Sequence, residues 1–139
     1  MRCQVNRTEP VTEPKDVADI LRSILKAEAP EDQDKEHLWV IGLRVNKRIA
    51  YVELVSLGIL DSCLVHPREV FRLAIMKAVD SIIIGHNHPS GDAKPSEEDW
   101  NIYYRMERAG SILGIEVLDS VIIANRGGFV SLKQERWRR

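Results

Sequence analysis

A chain of 139 residues fits one domain with a real hydrophobic core, and 44% hydrophobic with 29% charged residues is the balance of an ordinary globular protein. A formal net charge of −1 argues against general nucleic-acid binding, since duplex binders carry a basic surplus. Cys3 and Cys63 are too few for a disulfide framework, no apolar run reaches the roughly 20 residues of a membrane span, and no signal-peptide core stands near the start, so a cytoplasmic location is expected.

Residues 1–14 carry Pro10 and Pro14 among polar residues without apolar periodicity. They read as a mobile or loosely docked tail, with the domain proper over residues 15–139. Val17, Ile20, Leu21, Ile24 and Leu25 recur at helical spacing and form one apolar stripe, with Asp16 as N-cap and Pro30 beyond the end. Residues 31–35 read as a charged loop. His37–Leu43 reads as a strand, a turn follows at Asn46, Lys47 and Arg48, and residues 49–55 return as a second strand, so a hairpin is expected. Gly58 allows a bend, and residues 60–65 read as a third, shorter strand. Pro67 suits the first turn of a helix whose inward stripe is Val70, Phe71, Ala74, Ile75 and Ala78. His66 reads as the residue that starts this helix, not as a catalyst.

Residues 81–85 form a β-branched run, Ser-Ile-Ile-Ile-Gly, and read as a buried strand leading into His86-Asn87-His88-Pro89. Two histidines one residue apart at a strand end point to the same side. Ser96 opens the next helix, in which Asp99, Ile102, Tyr103 and Met106 share the inward stripe. Ser96 and Asp99 alone would make a capping box. That bland reading accounts for neither the histidines nor the long Pro/Gly-rich loop between them and the helix. Three protein ligands, His86, His88 and Asp99, would leave a coordination position open for water, the mark of a catalytic zinc site. Trp100 and Tyr104 flank the stripe as core. Gly114 caps the helix, residues 115–124 form a strand, residues 125–128 turn, residues 129–132 form a last strand, and residues 133–139 make a basic, solvated end. The order of elements indicates an α/β domain with one mixed sheet and helices packed on it.

The composite H-x-H-x7-S-x-x-D resembles the signature of the JAB/MPN metalloprotease (JAMM) family. Residues 65–71, Val-His-Pro-Arg-Glu-Val-Phe, followed by residues 84–92, Ile-Gly-His-Asn-His-Pro-Ser-Gly-Asp, resemble its RadC-like branch. The likeness runs from about Glu36 through Leu132. RadC proteins also carry a helix-hairpin-helix region that this sequence does not match, so an isolated RadC-type JAB domain is expected. Its fold would be the JAB/MPN-like, cytidine-deaminase-like single domain. Arg44, Ile59 and Ser120 depart from the residues usual in the branch, and none of them is a JAMM ligand.

The resemblance implies Zn2+ held by His86, His88 and Asp99, and a glutamate that takes the proton of an activated water. Glu36 is the best match for that glutamate and Glu53 its competitor. Ser96 matches the serine that supports the developing oxyanion. The implied activity is a JAMM-type zinc metallohydrolase that cleaves a peptide or isopeptide bond in a peptide or protein substrate. One rival is a DNA-repair-associated or nucleic-acid-linked accessory protein without peptidase activity; another is an inactive metal-binding scaffold. The letters His-Asn-His do not make an HNH nuclease, and the zinc deaminases need H-x-E and P-C-x-x-C, which are absent. Exposed strand edges in so small a sheet would suit a homodimer.

Overall fold

The computed structural model describes residues 1–61 and 63–138. In chain order the elements are β1 (Arg2–Cys3), α1 (Pro14–Lys26), α2 (Pro30–Gln33), β2 (His37–Leu43), β3 (Ile49–Leu57), α3 (Pro67–Met76), β4 (Ser81–His88), α4 (Glu97–Leu113), β5 (Glu116–Ala124), β6 (Phe129–Ser131) and α5 (Leu132–Arg136). The six strands make one sheet in the order β1-β3-β2-β4-β5-β6. Among the described residues only β4 and β5 pair in parallel, and α4 is the crossover that a parallel pair requires. This is the expected α/β architecture.

β2 is buried along its whole length because helices cover both faces of the sheet. Leu38, Val40, Ile82, Ile84 and Ile122 point to one face, against Val70, Phe71 and Ala74 of α3 and Ile102, Tyr103 and Met106 of α4. Trp39, Ile41, Ile83, Val121 and Ile123 alternate to the other, against Val17, Leu21 and Leu25 of α1. The expected β2–β3 hairpin is present, closed by Lys47 N donating to Arg44 O at 2.8 Å, with Lys47 in the left-handed region.

Several expectations are corrected. The stretch expected to hang loosely at 1–14 is docked: Arg2 pairs with Glu53, Cys3 with Val52, and Val11 is buried. β1 was illegible because two residues carry no period. Helix α1 starts at Pro14, and Asp16 acts from inside its first turn, its Oδ2 accepting from Thr12 N at 3.0 Å and Glu13 N at 3.2 Å. Part of the charged loop is the short helix α2. No strand forms over 60–65, of which Ser62 lies outside the described residues. Asp61 folds the backbone into a turn there, accepting from Cys63 N at 2.8 Å through its side chain and from Leu64 N at 2.9 Å through its carbonyl. On α3, Leu73 turns inward and Ile75 is exposed, and the helix ends at Met76, so Ala78 lies exposed in the turn beyond it. The basic end is not all solvated. Ser131 caps α5, Leu132 is buried, and Arg136 pairs with Glu107 at 2.8 Å and lies 4.7 Å from the ring centre of Tyr103. No helix among the described residues is long and apolar enough to cross a membrane.

Gly110 of α4 packs where a Cβ would sit 2.3 Å from the carbonyl oxygen of Ile115. Backbone cannot yield as a side-chain tip does. Gly110→Ala is therefore expected to destabilise the protein by about 1–3 kcal/mol, although alanine is the better helix former by about 1 kcal/mol. Urea unfolding of the variant checks this.

Candidate metal centre

Strand β4 continues past its apolar run through His88, so His86 and His88 leave the sheet on the face covered by α3 and α4. The loop then folds back on itself: Asp92 Oδ1 accepts from Lys94 N at 2.9 Å, and Asp92 O lies 3.0 Å from His88 Nδ1. A carbonyl can only accept a hydrogen bond, so Nδ1 carries the proton and donates it, and Nε2 of His88 faces Asp99. Ser96 caps α4, its Oγ accepting from Asp99 N at 3.2 Å, while Asp99 Oδ2 accepts from Ser96 N at 2.8 Å. This box turns the Asp99 side chain back toward the strand end.

His86 Nδ1 lies 3.0 Å from Asp99 Oδ1, and His88 Nε2 lies 3.0 Å from Asp99 Oδ2. The three residues each offer a donor atom within 4.8 Å of the others. Among the described residues, His86 Nε2 is buried without a hydrogen-bond partner, a cost that a bound cation would remove. Burial pushes the Asp99 carboxyl up, but hydrogen bonds from His86 and His88 outweigh it and hold the group well below the usual carboxylate range. The hydrogen bond to Asp99 raises His88, against the effect of burial. An ionised carboxylate beside two imidazoles is a donor set suited to zinc.

Of the two glutamates, Glu36 lies nearer the centre. Leu38 pairs with His86 in the antiparallel ladder, so Glu36 falls on the same face beside His88, and its charge contributes to the rise in the His88 pKa. It is half-buried, and its Oε2 accepts from Leu60 N at 2.9 Å. Glu53 pairs with Val40 further down the sheet and lies 3.5 Å from Arg72 on α3. Among the family departures, Arg44 stands at the opposite end of the sheet from His88, Ile59 is exposed, and Ser120 is buried opposite Ile84. His37 and Asn87, both fully buried polar residues next to the centre, received no role from the sequence. The signal was there: in H-x-H the middle residue must turn to the opposite face, and a buried amide there needs partners.

The model of the RadC-like JAB domain matches residues 11–137. The chain belongs to this family. Among its relatives, a UPF0758 protein of Caldanaerobacter subterraneus subsp. tengcongensis is 46% identical over 125 residues, covering 90% of this chain and 51% of the relative. A UPF0758 protein of Clostridium acetobutylicum is 44% identical over 125 residues, again 90% of this chain and 52% of the relative. A UPF0758 protein of Methanococcoides burtonii is 48% identical over 101 residues, 73% of this chain and 44% of the relative. The RadC-like JAB domain described here thus spans about half the length of these relatives.

Elemental analysis is expected to find about one divalent metal ion per chain in protein purified without chelator, and none in His88→Ala. In metal-free protein, the raised His88 pKa contributes stability that is full below the ordinary histidine value of about 6.5 and is lost as pH rises through the folded value. Thermal melts from about pH 6 to about pH 9 should therefore fall more steeply for the chelator-treated parent than for His88→Gln.

Proposed function

We propose that this domain is a zinc-dependent hydrolase of JAMM type that cleaves a peptide or isopeptide bond. The observation that carries the reading is the convergence of His86, His88 and Asp99 within 4.8 Å, with Glu36 on the same sheet face. Zinc held by these three residues would supply Lewis-acid chemistry, bringing the pKa of water to about 7.

The chain's own residues perform the rest. Glu36 takes the proton from the attacking water and delivers it to the leaving nitrogen, so that the amine departs neutral. Its bond from Leu60 N occupies Oε2 and fixes the carboxylate's orientation. Ser96 is exposed at the helix start, and because its Oγ accepts from Asp99 N, its hydroxyl proton is available to the oxyanion that develops on the carbonyl carbon's oxygen. Asp92, through its carbonyl, keeps His88 in the tautomer that presents Nε2.

The test is turnover of a random peptide library and of lysine-isopeptide conjugates by zinc-loaded protein, read by mass spectrometry. Glu36→Gln is expected to lower the rate by about 10²–10⁴-fold with zinc content unchanged, while Glu53→Gln leaves the rate near that of the parent. Ser96→Ala is expected to cost about 10²–10³-fold in kcat, beyond the cap's ~1 kcal/mol of stability. Cleavage that survives chelation, or equal rates for the parent and Glu36→Gln, would overturn the reading. Salt-dependent duplex binding without any cleavage would redirect it to a nucleic-acid role.

A further inference from the structure

Asn87 stands between the two ligand histidines, with its side chain turned to the α1 face of the sheet, away from them. Buried there, an amide needs partners for its oxygen and for both N–H groups. Its Oδ1 accepts from the backbone N of His37 at 2.6 Å, and its Nδ2 donates to the carbonyl oxygen of Lys35 at 3.0 Å. Those two atoms belong to the two peptide groups on either side of Glu36. One side chain therefore grips the backbone immediately before and immediately after the glutamate.

His37 doubles the grip. Its buried Nδ1 lies 2.8 Å from the same Lys35 carbonyl and 3.1 Å from Asn87 Oδ1, and its Nε2 lies 2.5 Å from Glu28 Oε2, just past the end of α1. The ring also stacks on Trp39 at 4.9 Å between centroids. On the other side, Asn87 Nδ2 donates to Asn125 Oδ1 at 3.0 Å, and Asn125 Nδ2 donates to Gln33 O at 2.7 Å. The segment entering β2 is held from beneath, while the Glu36 side chain emerges on the opposite face next to His88.

We infer that Asn87 and His37 are positioning residues for Glu36: by clamping both of its flanking peptide groups from the α1 face, they hold its carboxylate beside the metal ligands. The inference rests on the reading of Glu36 as the proton carrier. It makes the middle residue of His-Asn-His as much a part of the site as the histidines, although it never touches the ion.

The test uses cobalt(II) as the bound probe and reads the pH midpoint at which its visible absorption changes. A carboxylate beside the ion raises that midpoint, because a negative charge disfavours loss of a proton there. Glu36→Gln is expected to lower it by about one pH unit. Asn87→Ala and His37→Phe, with cobalt stoichiometry kept, are expected to lower it in the same direction by a comparable amount. A purely structural role would lower the melting temperature and leave the midpoint in place. A parental midpoint in both clamp variants, with a shift in Glu36→Gln, overturns the inference and leaves the role of Glu36 standing. A parental midpoint in Glu36→Gln overturns both. If the buried variants fail to fold, Asn125→Ala removes the half-buried outer link instead. A smaller shift in the same direction supports the clamp, and a parental midpoint overturns it.

Discussion

In the ladder that joins β2 to β4, Leu38 faces His86, Val40 faces Ile84 and Gly42 faces Ile82. Side chains alternate along both strands, so a slip of one residue would send every one of them to the other face. That slip is forbidden by packing. Ile82 and Ile84 belong to the core under α3 and α4, and Ile83 to the core under α1, so each face has its own apolar set to bury. The register fixed by these residues, far from any chemistry, is what delivers Glu36, His86 and His88 to one side and His37 and Asn87 to the other. The site inherits its precision from the two cores.

Asp99 shows a second economy. Its carboxylate accepts from the Ser96 backbone N, completing the cap of α4, and at the same time lies 3.0 Å from both histidines. A helix N-terminus favours an anion there whether or not a metal is bound. The carboxylate is therefore already ionised and aimed at the histidines, and one side chain serves both the helix cap and the candidate metal group.

Much of this was legible in the sequence because it rests on local rules. The β-branched run before His86, the capping box at Ser96 and the left-handed Gly114 each follow from a few neighbouring residues. The convergence of His86, His88 and Asp99 was readable for the same reason. What stayed hidden depends on partners distant in the chain. β1 is defined only by Glu53 and Val52 across the sheet. The turn at Asp61 replaced a strand because a side chain captured a backbone N–H, which β-propensity does not register. Helix α5 exists because Leu132 finds the core and Arg136 finds Tyr103 and Glu107. Asn87 and His37 are fifty residues apart, so no periodic pattern couples them.

The three side chains that could hold a metal ion all fall within one short stretch, from His86 to Asp99. Closing so small a loop costs little chain entropy, so the fold spends little on bringing these donors together. A ligand that also binds the unfolded state stabilises the native one by less than its affinity suggests. A metal ion at this site would thus raise the melting temperature by less than its affinity alone suggests.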